Sequence, residues 1–87
     1  MKVTISSQGE KQFRKLPKFD QIAVAQKIRS LASELVPGEE KLSGFHHVYR
    51  VRVGNYRIVY KKSTGSMFIV LIVHRKDIYK KLEQLLL

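Results

Sequence analysis

The stretch YRVRVGNYRIVY, residues 49–60, constrains this chain more than any other part of it. Apolar and basic residues alternate on both sides of Gly54-Asn55, the period of a strand with one buried face. A two-residue loop of this composition predicts a β-hairpin and sets its register. Val53 then faces Tyr56, Arg52 faces Arg57, Val51 faces Ile58, Arg50 faces Val59 and Tyr49 faces Tyr60. One side of the hairpin is a core face of Tyr49, Val51, Val53, Tyr56, Ile58 and Tyr60. The other carries Arg50, Arg52, Arg57 and Lys61, with Val48 and Val59 between them, while Lys62 points back to the first side. Like charges opposed across a strand pair are destabilising, and the hairpin contains no acid to offset them. Such an arrangement becomes favourable when an anion sits among the guanidiniums, because their forks bind phosphate oxygens bidentately. The plainer alternative is a solvated face whose charges spread apart in water.

The rest of the chain supports a polyanion partner. Residues 1–40 hold seven basic and five acidic side chains, and residues 41–87 hold ten and two, so most of the net charge of +10 lies in the second half. A one-sided basic surface points first to nucleic acid, although net charge also serves solubility. At 87 residues the chain predicts one domain spanning 1–87, with a modest core. The absence of cysteine excludes disulfides and thiolate chemistry. It agrees with a cytoplasmic location. The first ten residues lack the apolar run of a signal peptide. The longest apolar stretch, MFIVLIV at 67–73, is far short of the roughly 20 residues of a membrane span.

Along the chain, MKVTIS reads as a first strand. Ser7-Gln8-Gly9-Glu10 matches a capping box opening a short helix, which LPK at 16–18 stops. Pro17 suits the first turn of a second helix. Ile22, Ala25, Ile28, Leu31, Ala32 and Leu35 form its apolar stripe, predicting about 16–18 residues. Proline and glycine in VPGEE, 36–40, end it. Strands are expected at 46–53, 56–62 and 67–74, the last apolar on both sides and therefore central. A final helix places Ile78, Leu82, Leu85 and Leu86 on one face. The order β-α-α-β-β-β-α predicts an α+β domain with a mainly antiparallel four-stranded sheet packed with helices.

The chemistry these residues allow is narrow. There is no glycine-rich phosphate loop and no His/Cys spacing for zinc, and the seven scattered acids do not suggest a two-metal site. His46 and His47 are adjacent on a strand and point apart. We expect no metal and no cofactor. One reaction suits a cationic site without either: cleavage of RNA by its own 2′-hydroxyl attacking the neighbouring phosphate. The protein then positions the nucleophile, stabilises the phosphorane and moves protons. Arginines serve the second task but are poor bases. His74 and Arg75 emerge at the end of the last strand, and Tyr79 lies one turn into the last helix. They are the candidate proton-handling and positioning groups. Structural alternatives stand beside each: Tyr79 packing under the helix, His74 as a hydrogen-bonded structural residue, Arg75 pairing with Asp77.

Taken together, KLSGFHHVYRVRVGNYRIVYK, the strand after it and VHRKDIY resemble the RelE/ParE toxin superfamily, specifically its RelE branch. The resemblance covers essentially the whole chain. It implies the RelE-like fold and a toxin of a type II toxin–antitoxin system: a ribosome-dependent endoribonuclease that cuts mRNA in the ribosomal A site, leaves a 2′,3′-cyclic phosphate and arrests growth by stopping translation. It also implies a RelB-like antitoxin partner. By position it gives catalytic roles to Arg50, Arg52, Arg57, Arg75 and Tyr79. Arg50 and Arg52 stand where the best-known member has lysines, which leaves the general base open among Arg50, His74 and another group. Lys41, Lys61, His74 and Lys76 are the expected RNA-contacting residues. Two alternatives remain: a ParE-like poison of DNA gyrase, and an RNA-binding module without catalysis.

Overall fold

The computed structural model describes residues 1–33 and 36–86, apart from the side chains of Leu85 and Leu86. The elements run β1 (Lys2–Ile5), α1 (Ser7–Arg14), α2 (Lys18–Ser30), β2 (Glu40–Lys41), β3 (Val48–Val53), β4 (Tyr56–Ser63), β5 (Ser66–His74) and α3 (Ile78–Leu86). All five strands join one sheet in the order β1-β5-β4-β3-β2. Only the β1–β5 pair is parallel, so the sheet is mixed but mainly antiparallel. It has five strands rather than the four expected, because the two residues of β2 are too few to show an alternation in the sequence.

The β3–β4 register is the one the alternation requires, including Arg52 opposite Arg57 and Val48 opposite Lys61. Gly54 takes φ +56 at the first position of the turn, where a two-residue hairpin loop of the type II′ class needs positive φ. Beyond it, β5 is central, as its apolar character requires, but β1 covers its outer edge only as far as Ile69. Past that point α1 takes over. Gln12 Oε1 accepts from the Ile72 amide at 2.8 Å and Ser6 Oγ donates to the Val70 carbonyl at 2.7 Å, satisfying ladder groups that would otherwise be unpaired. Gly9 allows this approach: a Cβ there would meet Ser6 Oγ at 3.1 Å and Ile5 Cγ1 at 3.2 Å.

Two details differ from the sequence expectation. The cap of α1 is Ser6, whose Oγ accepts from Gly9 N at 2.9 Å. Because β1 ends at Ile5, Ser6 is the residue at the boundary, and Glu10 pairs with Arg14 along the helix instead. Helix α2 has 13 residues, not 16–18, and only part of its stripe faces inward: Leu31, just past its end, is fully buried as expected, but so is Val24 outside the stripe, while Ile22 is 53% exposed. Its apolar residues lie on most sides, so the sheet rather than the stripe selects the inward face. The expected contribution of Leu35, and those of Leu85 and Leu86, fall outside the described residues.

The two faces of the sheet carry separate cores. On one, α1 and α2 bring Leu16, Val24 and Leu31 onto Val51, Ile58, Tyr60, Met67, Ile69 and Ile72. On the other, α3 brings Ile78 and Leu82 onto Leu42, Val59, Leu71 and Val73. The second face is the arginine face, and α3 covers only part of it. No helix among the described residues is long and apolar enough to cross a membrane.

Candidate nucleic-acid interface

The uncovered part of the second face is a cleft of about 170 Å³, lined by Glu40, Arg50, Arg52, Arg57, Arg75, Ile78 and Tyr79. Five expected catalytic residues thus converge from four places in the chain. The hairpin supplies Arg50, Arg52 and Arg57 because alternate residues of paired strands share a face. Arg75 follows β5, and its amide donates to the Asn55 carbonyl at 2.8 Å, tying the end of β5 to the hairpin turn. Tyr79 sits in the first turn of α3, beside Ile78, which packs into the second core. It is 66% exposed, so its ring is presented to the cleft rather than packed under the helix.

The four guanidiniums are held to different degrees. Arg50 is the most enclosed: Nη1 donates to Tyr79 Oη at 3.3 Å and Nη2 to Glu40 Oε2 at 3.2 Å, and its guanidinium carbon lies 5.9 Å from the Tyr79 ring centroid. The Tyr79 hydrogen bond, helped by Glu40 and opposed by burial, raises its pKa above the ordinary arginine value. Arg57 Nη1 donates to the carbonyls of Tyr56 at 2.9 Å and Gly54 at 3.3 Å. Burial, then repulsion from Arg52, Arg50 and Arg75, lowers its pKa. Both remain cations at neutral pH. Arg52 and Arg75 are exposed and make no side-chain hydrogen bond or ion pair among the described residues, so Arg75 is not engaged by Asp77. The result is two fixed cations and two open forks around one small space, with mutual repulsion that an anion would relieve.

Glu40 was not anticipated. It pairs with Arg50 in the β2–β3 ladder, and among the described residues it is the one carboxylate lining the cleft. Its neighbour Glu39 points the other way, accepting from Tyr60 Oη and from Lys62 Nζ at 2.7 Å. Lys62 in turn lies 4.5 Å from the Tyr49 ring centroid. This half-buried cluster anchors the backbone that presents Glu40.

The four expected RNA-contacting residues do not gather here. His74 faces Tyr56 across the β4–β5 ladder, with ring centroids 5.5 Å apart, and its Nδ1 accepts from the Lys76 amide at 3.2 Å. That puts it on the α1–α2 side of the sheet. Its parity with Tyr56, already on the apolar face of the hairpin, was the signal. Lys76 is exposed in the turn after it. Lys61 is exposed at the far end of β4, in a groove with His47 and Tyr49. Lys41 lines a pocket adjoining the cleft.

Residues 3–79 match the family model described as the ParE toxin of type II toxin–antitoxin systems, parDE. Toxin RelE3 of Methanocaldococcus jannaschii is 42% identical over 40 residues, an alignment covering 46% of each protein and so just under half of that relative's length. Among solved structures, the toxin of the RelB–RelE antitoxin–toxin complex from Methanococcus jannaschii superposes with a TM-score of 0.75 at 25% identity, covering 88% of this chain and 95% of that one. The archaeal RelE–RelB complex from Pyrococcus horikoshii gives 0.71 at 26% identity, covering 85% and 93%. A family match running from β1 into α3, together with the shared fold, means that the chain belongs to the RelE/ParE superfamily of toxins of type II toxin–antitoxin systems.

Proposed function

We propose that this toxin is a ribosome-dependent endoribonuclease that cleaves mRNA in the ribosomal A site and is silenced by a RelB-like antitoxin. The observation that carries the reading is the convergence of Arg50, Arg52, Arg57, Arg75 and Tyr79 on one cleft of phosphodiester scale. The substrate 2′-oxygen attacks phosphorus, the bond to the 5′-oxygen breaks, and the products are a 2′,3′-cyclic phosphate and a free 5′-hydroxyl. Arg52 and Arg57 flank the phosphorane, and Arg75 stabilises the leaving 5′-oxygen, which takes its proton from water. Tyr79 orients the nucleophile. Glu40 is the group in the cleft whose chemistry suits removal of the 2′-hydroxyl proton, a task for which arginine is unfit. The ribosome presents the RNA strand, and the antitoxin partner follows from the complexes in which similar toxins are found.

The test is in vitro translation with mRNA 5′ ends mapped by primer extension, with and without ribosomes. Cuts within A-site codons that require ribosomes are expected. Removing a preorganised donor at a phosphorane costs about 10²–10³ in rate, so Arg57→Ala should fall by that order, and Arg75→Ala should also lose rate. Glu40→Gln should lose rate while keeping RNA affinity. Intact mRNA under translating conditions would overturn the proposal.

A second reading has one observation in its favour, the ParE name of the matching family model. It makes the chain a gyrase poison. The clustered arginines are superfluous to that activity, and a supercoiling assay showing gyrase-linked DNA breaks would establish it.

A further inference from the structure

A second pocket of about 350 Å³ adjoins the cationic cleft, and the two share Arg50 and Tyr79 as walls. Their characters differ. The remaining walls of the second combine the apolar Leu42, Phe45 and Leu82 with the polar Lys41, Ser43 and Glu83. Leu42 and Leu82 belong to the core under α3, and Phe45 packs partly buried against it. Its volume falls within the roughly 300–1,000 Å³ of small-molecule sites.

An anion clamp joined to an aromatic and aliphatic hollow has the amphiphilic pattern of a nucleotide, with charge on the phosphate and a flat apolar base beside it. We propose that the second pocket is a nucleobase subsite, taking the base of the nucleotide whose 3′-phosphate lies among the arginines. The proposal rests on the endoribonuclease reading for the phosphate alone. Bases stack on aromatic rings whatever their sequence, so Phe45 supplies retention. Glu83 supplies discrimination, because a carboxylate accepts hydrogen bonds from an exocyclic amino group. Adenine and cytosine offer that donor and uracil does not.

The test uses the full chain, isotopically labelled for NMR, titrated with 3′-AMP, 3′-UMP and inorganic phosphate. All three are expected to shift the amides of Arg52, Arg57 and Arg75. Only the nucleotides should shift the Leu42 and Leu82 methyls and the Phe45 ring. 3′-AMP should bind at least tenfold more tightly than phosphate, and Phe45→Ala should erase that advantage without weakening phosphate. Glu83→Ala should equalise 3′-AMP and 3′-UMP. If 3′-AMP moves the arginine amides but leaves the Leu42 and Leu82 methyls still and gains nothing over phosphate, the subsite is refuted and the clamp stands. If no compound moves the arginine amides, the phosphate reading falls with it. An acidic peptide that shifts the second pocket when nucleotides do not would make it a protein-docking site instead.

Discussion

Arg52 and Arg57 face each other in the β3–β4 ladder with Arg50 and Arg75 close by, and their repulsion measures what the site costs the empty protein. Arg52 is the clearest probe, because it is exposed and makes no side-chain bond among the described residues. Opposed like charges cost about 0.2–1 kcal/mol. Arg52→Thr keeps a residue suited to a strand, so it should stabilise the free protein by about that amount in low salt and by less as salt screens the pair. Urea melts at two ionic strengths check it. The same substitution should weaken RNA cleavage, and a variant that lost stability and kept full activity would count against a phosphate clamp. The arginines were legible in the sequence because a period of two and a two-residue turn leave no freedom in the register. Glu40 was not, since a two-residue strand has no pattern to read. His74 was drawn toward the cleft by its closeness in sequence to Arg75. Adjacent strand residues point to opposite faces, and that rule places it with Tyr56.

Secondary elements show where sequence pattern ends and tertiary contact begins. The hairpin is self-specifying, whereas α2 is apolar on most sides, so Ile22 was expected inward and Val24 is the residue that the sheet buries. The segment before β3 is the hardest to read. Its order depends on Glu39, reached by Tyr60 and Lys62 from 21 and 23 residues away. Tyr60 is fully buried, and its hydroxyl pKa is raised, first by burial and then by its bond to Glu39. The fold therefore holds the proton that the unfolded chain releases near pH 10. A raised pKa contributes stability that is complete below the unfolded value and declines as pH rises beyond it. Tyr60→Phe should cost about 1.5–3 kcal/mol at neutral pH, as for a hydrogen bond to a charged group. Its difference from the wild type should narrow above pH 10. Paired urea melts from pH 8 to 11 measure that difference.

Across the whole molecule, the two cores divide the work of the site. The core under α1 and α2 fixes the inward residues of the hairpin and so aims Arg50, Arg52 and Arg57 outward. The core under α3 holds Ile78 and Leu82 and so carries Tyr79 to the cleft. On the proposed endoribonuclease reading, binding and catalysis should therefore separate when one core is weakened. Leu71 is fully buried beneath α3 and lines neither the cleft nor the adjoining pocket. Leu71→Ala should cost about 2–5 kcal/mol through lost transfer energy and a residual cavity, and that cost falls on the packing of α3 against the sheet. Amide exchange should quicken in α3 before α2. RNA affinity in low salt, and its steep decline with salt, should stay near wild type, because the hairpin arginines keep their places. Cleavage should fall, because Tyr79 and the Ile78 wall no longer stay in register with Arg50. The comparison is made at a temperature where the variant's far-ultraviolet circular dichroism matches the wild type. If cleavage and RNA affinity fall in parallel, the two cores do not divide the site, and α3 is needed to hold the arginines as well as the tyrosine.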